Sequence, residues 1–331
     1  MAVLGNMNAV LKDLTLIVED EIKQTQQDLH PLICSVIPEE GAYTRVPVAA
    51  NMPMMSKFEG ERSSKGKDVT VVQTYTQDTY ELTIDIDSDL LRNAKAYTYS
   101  GLVREATMSA KLYPSWVASN AVINGSTSGY NGYDGIVFYP VYGASTTTAH
   151  HYAGVTSGPD IVNSVQSTGI SVTELQADLT SAMTKIRTFQ DNAKRLLNPY
   201  ACQGPNQLLI HCPAALEQKF RQVVHAGTIP MPITSTSTTI VAGAGVENVG
   251  WKGTADIYPD GYLDATSPSV WYLHYVGMPQ KPFVFLENYG LMVDVLGYGS
   301  EFEINTKRVR IALKRRFVLG YYRFDRSIRI Y

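Results

Sequence analysis

The sequence predicts an α+β chain: a body of helices and long strands, preceded by a helical arm and an extended β-hairpin. Three observations lead to that class. Two long segments carry apolar residues at helical spacing, and the region after Trp271 alternates like β-strand almost to its end. Residues 43–87 form a two-stranded ribbon with too little apolar surface to stand alone in water. At 331 residues the chain also exceeds the size at which one core usually stops growing. The expected division is an arm over 1–42, the hairpin over 43–87, a helical part over 88–203 that includes a loop at 125–167, an α/β unit over 204–280, and closing strands over 281–331.

Taken in order, Leu11, Leu14, Ile17, Val18 and Ile22 share one helical face between Asn8 and Leu29, with Asp13, Glu19, Asp20 and Glu21 on the others. Such a helix either joins the core or lies along a neighbour. His30-Pro31 and Pro38-Glu39-Glu40-Gly41 then break the chain. Tyr43–Ala49 and Thr70–Asp87 read as strands, the second with Leu82, Ile84 and Ile86 alternating against Thr83, Asp85 and Asp87. Between them lies a charged tip over 56–68. The expected cover for this ribbon is another copy of the chain.

Asp87 or Ser88 can cap a helical region running to Asn124, with Leu102, Ala106, Ala110, Tyr113, Val117 and Ala121 on one stripe and a kink or restart predicted near Pro114. Residues 125–167 are rich in Gly, Ser, Thr and Tyr and read as an irregular loop with a short hairpin. A capping box, Ser171 to Glu174, starts the next helix. It carries Leu175, Leu179, Ala182, Met183, Ile186 and Phe189 and stops by Asn198-Pro199. Gln207–Cys212 reads as a buried strand feeding a helix that begins at Pro213 and buries Leu216, Phe220 and Val223. From Trp271 come strands at VWYLHYV, PFVFLEN, LMVDVLGYG, residues 303–322 and RSIRIY.

Composition narrows function. Charged residues make up only 18% of the chain and there are 21 tyrosines, a balance suited to large buried interfaces. A net charge of -3 argues against a protein whose main task is gripping phosphates. The charge is unevenly placed: the 25 residues from Lys307 hold nine basic side chains and one acid, Asp325. Cys34, Cys202 and Cys212 are too scattered for a disulfide framework, so synthesis in a reducing cytoplasm is expected. No signal-peptide pattern and no run of ~18 apolar residues occurs, so neither export nor a membrane anchor is expected.

Four segments carry a family resemblance. They are PMMSKFEGERSSKGKD with TYELTIDIDSDLL, then EATMSAKLYPSWVASNAVING, then NGYDGIVFYPVYG, and finally LLIHCPAALEQKFRQVV together with PFVFLENYG through GYGSEFEINTKRVRIALKRRFVLGYY. In these and in element order, the chain resembles the major head subunits of Mu-like phages, which have the Hong Kong 97 capsid fold. The resemblance implies a peripheral domain built on a kinked spine helix and the terminal strands, an axial domain near 204–280, and an extended loop at 43–87. It implies a virion protein made in the host bacterial cytoplasm that self-assembles into hexamers and pentamers of an icosahedral shell. A separate scaffold protein, a portal, decoration proteins and enclosed double-stranded DNA are the partners it implies. The alternatives are another virion part, tail tube or decoration protein, or a metal-dependent hydrolase.

Candidate sites follow from charge and from nucleophile or ligand types. At the hairpin tip, Lys57, Glu59, Glu61, Arg62, Lys65 and Lys67 mix both signs on an element that needs a partner. Intersubunit ion pairing is expected there, with Arg62 first because its planar fork holds a carboxylate with two hydrogen bonds. Arg308, Arg310, Lys314, Arg315 and Arg316 on the penultimate strand, with Arg323, Arg326 and Arg329 after it, suggest an intersubunit or lumen-facing surface, meeting acids such as Asp13, Glu19, Asp20 and Glu21 or packaged DNA. His150 and His151, with Asp134 and Asp160 nearby, are metal-ligand types without ligand spacing. His211 and Cys212 read as core residues, since no acid is evident to orient the imidazole. There is no GxSxG, HExxH or phosphate-binding glycine loop. The chain is therefore expected to be no enzyme and to need no cofactor or metal.

Overall fold

A computed structural model of the chain describes residues 2–24, 28–39, 41, 43–49, 69–93, 97–140, 149–152, 159–201, 203–230, 245–248 and 252–331. The first half runs α1 (Ala2–Lys23), α2 (Leu29–Ile33), β1 (Cys34–Pro38), β2 (Tyr43–Ala49), β3 (Val69–Thr76), β4 (Asp78–Asp87), α3 (Ser88–Asn93) and α4 (Tyr97–Asn124). Short strands β5 (His150–His151), β6 (Asp160–Ile161) and β7 (Ser164–Val165) precede α5 (Val172–Thr188). Then come β8 (Leu208–Pro213), α6 (Ala214–Val224), β9 (Thr228–Pro230), β10 (Gly245–Glu247), β11 (Ala255–Asp260), α7 (Gly261–Thr266) and β12 (Trp271–Tyr275). The chain closes with β13 (Phe283–Leu296), α8 (Glu301–Thr306), β14 (Arg308–Tyr321) and β15 (Ser327–Ile330).

Two sheets organise these elements. One has the order β1-β13-β14-β4, and the other the order β11-β8-β12-β15-β7. The carboxyl-terminal strand thus closes onto the sheet begun by β8, pairing antiparallel with β12 from Trp271↔Ile330 to His274↔Ser327. The larger core packs α5 and α6 against that sheet, with Trp271, Phe220, Leu179 and Ile330 essentially without solvent contact. A second core lies between α1, α4 and the four-stranded sheet, where Leu14, Val18, Val103, Val309 and Ile311 are fully buried. Each such side chain contributes about 1.5–3 kcal/mol relative to exposure.

Several local expectations change in three dimensions. Thr70–Asp87 is two strands with a break at Gln77, whose side-chain amide donates to the Glu39 carbonyl at 3.2 Å. Only β3 belongs to the ribbon with β2, while β4 joins the body and pairs antiparallel with β14. The reason is a match of two alternations: Ile86, Ile84 and Leu82 stand opposite Val309, Ile311 and Leu313. The cover for this half of the predicted hairpin is therefore the chain's own second core, which includes Ile84 and Ile86. Helix α1 likewise packs on its own body rather than standing off as an arm.

On α4 Val103, Thr107, Ala118 and Val122 are fully buried; of the predicted stripe Ala121 is buried and Ala110, Tyr113 and Val117 pack at the edge of the cores, while Leu102 is 51% exposed. Counting apolar residues misleads here because Thr107 is a polar residue in the core, satisfied by donating to the Val103 carbonyl at 2.7 Å. The helix continues through Pro114 without the predicted restart; Pro114 is itself buried, as are Ser115, Ala118 and Ser119 after it. Residues 303–306, expected to open a strand, belong instead to α8 (Glu301–Thr306), because Ser300 accepts from the Glu303 amide at 3.2 Å and caps a helical turn. The capping box at Ser171 is present in both directions, and its helix ends at Thr188, well before Pro199. Among the described residues no helix is long and apolar enough to cross a membrane.

Candidate assembly surfaces

Where β4, the first part of β14 and the later half of β13 run side by side, the four-stranded sheet turns one face to the second core and the other to solvent. Strand geometry decides which charges appear outside. On β14 the outward positions are Arg308, Arg310, Ala312, Lys314 and Arg316, and on β4 they are Glu81, Thr83, Asp85 and Asp87. Register sets the bases beside the acids: Arg308 opposite Asp87, Arg310 opposite Asp85, Lys314 opposite Glu81. Arg310 grips Asp85 with two hydrogen bonds of 2.7 and 2.9 Å and lies over the Phe302 ring at 4.2 Å. Hydrogen bonding from Arg310 holds the Asp85 carboxyl below its usual range. Lys314 pairs with Asp294 on β13 at 2.5 Å.

Arg310, Lys314 and Arg315 are thus paired within their own sheet. The acids they meet are Asp85, Asp294 and Glu287, while Asp13, Glu19 and Asp20 face solvent on α1. Arg315 differs from the other four. Alternation turns it inward, where it pairs with Glu287 at 2.7 Å and lies near the Phe285 and Phe317 rings. It is a core-edge residue and not part of the outer basic surface. The tip residues Lys57, Glu59, Glu61, Arg62, Lys65 and Lys67 lie outside the described residues.

The sequence reading missed an exposed apolar surface. Leu102, Leu112 and Trp116 project from α4 and Tyr262 from α7, each at least 39% exposed. Leu112, Trp116 and Tyr262 border a cleft of about 700 Å³ between α4, α1 and α7. A smaller groove of about 250 Å³, lined by Tyr80, Leu82, Ala110, Tyr113 and Phe317, runs between α4 and the sheet. Met292, Leu296 and Ile304 add exposed apolar area beside the Arg310 ladder. Contiguous apolar surface of this kind marks a place where another molecule sits. The signal in the sequence was the spacing of Leu112 and Trp116, obscured by assigning the buried stripe to the neighbouring residues.

The residues that suggested chemistry are built into the interior. His150 lies between the Asp134 carboxylate at 2.7 Å and the Phe138 carbonyl at 3.0 Å, stacked on Phe324 at 4.1 Å. Among the described residues, no group of three or more His, Cys, Asp or Glu side chains is arranged to hold a metal. His211 does have an acid, one its local sequence could not reveal: Asp260, 49 residues on, contacts Nε2 at 2.8 Å. Burial opposes ionisation of Asp260, but His211, the Ser119 hydroxyl and the Tyr262 amide outweigh it and hold the carboxyl low. The carboxylate therefore sits between serine and histidine, so the imidazole cannot take the Ser119 proton. Cys212 points to the opposite face of β8, and burial pushes its thiol up to about 12, which leaves no thiolate at neutral pH.

No protein-family model matches this sequence, and none of the curated proteins does. Solved structures do match. The chain is similar to the virus-like particle from Pyrococcus furiosus, with a TM-score of 0.52 at 11% identity over 97% of this chain and 98% of that one. It is equally similar to the capsid of the cyanophage P-SCSP1u, with a TM-score of 0.52 at 10% identity over 93% and 89%. For the procapsid of bacteriophage JBD30 the TM-score is 0.49 at 12% identity, over 97% of this chain and 74% of that chain. The fold is α+β and of the Hong Kong 97 capsid type.

Proposed function

We propose that this chain is a structural shell subunit, the major head protein of a Mu-like phage, which assembles through hexamers and pentamers into an icosahedral shell around double-stranded DNA. The observation that carries this reading is coverage: nearly the whole chain is accounted for by a fold that shell-forming proteins share, with little left over for another task. Supporting it are the exposed apolar cleft beside α4 and a sheet face on which Arg310 and Lys314 are already paired. A wall so neutralised holds packaged DNA only weakly, as release requires. In this reading the extended loop at 43–87 reaches a neighbouring subunit through Lys57, Glu59, Glu61, Arg62, Lys65 and Lys67, and Arg308 and Arg316 face a neighbour or the lumen. The parts around 88–203 and 281–331 act as the peripheral domain, and 204–280 as the axial domain. A scaffold, a portal and decoration proteins join during assembly in the host cytoplasm, and no catalysis or cofactor is involved.

A second reading is a shell that is not a virion, favoured by the near-complete coverage of the virus-like particle chain. Electron microscopy and mass measurement of the purified protein test both readings at once. Closed particles of megadalton mass are expected, whereas a stable monomer or dimer would refute any shell function. Nuclease-protected double-stranded DNA inside particles purified from their natural source separates the phage head from the other shell.

A further inference from the structure

A polar cleft of about 650 Å³ opens between α5 and the segment 165–168 that follows β7. Ser181, Thr184, Lys185 and Thr188 line one side at helical spacing, and Ser167 and Thr168 line the other. Among the described residues of the lining, Lys185 is the only charged one. Its Nζ donates to the Ser164 carbonyl at 2.7 Å, which fixes the amine at the cleft wall. Ser167 and Thr168 donate their hydroxyls to Asp178 at 2.8 and 2.9 Å, so Ser181 and Thr184 are the donors placed to serve an occupant of the cleft.

We propose that Lys185 is a covalent modification site, acylated at Nζ by a small acyl phosphate whose phosphate is held by the Ser181 and Thr184 hydroxyls. The neutral amine keeps one N–H on the Ser164 carbonyl and attacks the acyl carbon with its lone pair. The N–C bond forms as the C–O bond to phosphate breaks. Phosphate leaves with that electron pair, and the surplus amine proton goes to water. The amide product retains an N–H for Ser164 while losing the positive charge, so α5 stays docked on β7. Burial supports the chemistry by lowering the ammonium to about 8. Near pH 7.5 that gives Lys185 roughly a hundred-fold more neutral amine than an ordinary surface lysine.

The test uses the purified full chain, acetyl phosphate as probe, and peptide mass mapping of every lysine from pH 6.5 to 10. Lys185 is expected to acetylate about ten-fold faster than Lys12 and Lys23 at pH 7.5, part of the hundred-fold being lost to the weaker nucleophilicity of a less basic amine. Its rate should level off above about pH 8 while theirs still climb. Ser181→Ala with Thr184→Val, both at exposed positions, should slow acetyl phosphate several-fold and leave labelling by an acetyl N-hydroxysuccinimide ester unchanged. A rate no faster than Lys12, or a profile still rising at pH 10, overturns the site. Equal slowing of both reagents overturns the role of the hydroxyls.

Discussion

Arg323 holds Asp325 with two hydrogen bonds of 2.7 Å, while Arg326 approaches the same carboxylate at 4.0 Å and Asn198 donates to it at 3.3 Å. Both partners of the main pair are at most 5% exposed. Burial opposes the charge on Asp325, and Arg323 outweighs it, so the carboxyl stays ionised below its usual range. Removing one partner strands a buried charge, so Arg323→Met is expected to cost about 3–5 kcal/mol in urea unfolding. A loss under about 1 kcal/mol would show that the network is dispensable. His30 supplies a pH dependence. The Ser115 hydroxyl accepts from the Leu29 amide at 3.1 Å and lies 3.2 Å from His30 Nδ1, in a pocket that is largely closed to water. Burial first, then nearby Arg315, lowers this histidine to about 4 from an unfolded value near 6.5. The unfolded chain therefore binds the extra proton first, and stability present above pH 6.5 is lost as pH falls toward 4, by on the order of 2 kcal/mol. His30→Gln should flatten that part of a stability–pH curve, and an unchanged slope would assign it elsewhere.

At the scale of elements, the described part of the β2–β3 ribbon meets the body through Val46 and Tyr75, both members of the larger core. The Tyr75 ring lies across Gly320 of β14, and its hydroxyl donates to the Tyr321 carbonyl at 2.6 Å. A Cβ at Gly320 would clash with the edge of that ring, at Cε1, Cδ1 and Cζ. Gly320→Ala is therefore expected to destabilise by about 1–3 kcal/mol, and most of that cost should vanish in a Tyr75→Ala background. Additive costs in the double-mutant cycle would mean that the ring does not determine the glycine. Helix α1 is attached more broadly. Leu14→Ala should cost about 2–5 kcal/mol, because Leu14 has no solvent exposure in the second core. Amide exchange would then speed up along α1 and the lower part of β14 together, while β8 and β12 keep their protection.

For the whole molecule, the proposed shell places the burden of association on surfaces that the single chain leaves uncovered. Deleting residues 56–67 should leave both sheets with native exchange protection and abolish closed particles in electron micrographs. Normal particles from that deletion would remove the loop from the assembly mechanism. Arg62→Glu should weaken assembly in the same direction, and the defect should shrink at high salt, where exposed pairing counts for little.

What the amino-acid order determined was whatever rests on neighbours in the chain. The capping box at Ser171, the buried strand at Leu208–Pro213 and the double alternation of β4 follow from local spacing, and they are present. Only tertiary structure could decide which surfaces those elements meet. Periodicity names an apolar face without naming its cover, so β4 went to β14 rather than to a neighbouring molecule, and α1 settled on its own body. Distance along the chain hid the rest. Asp260 reaches His211 across 49 residues and Tyr75 reaches Tyr321 across 246, contacts that burial and packing select and no local pattern encodes.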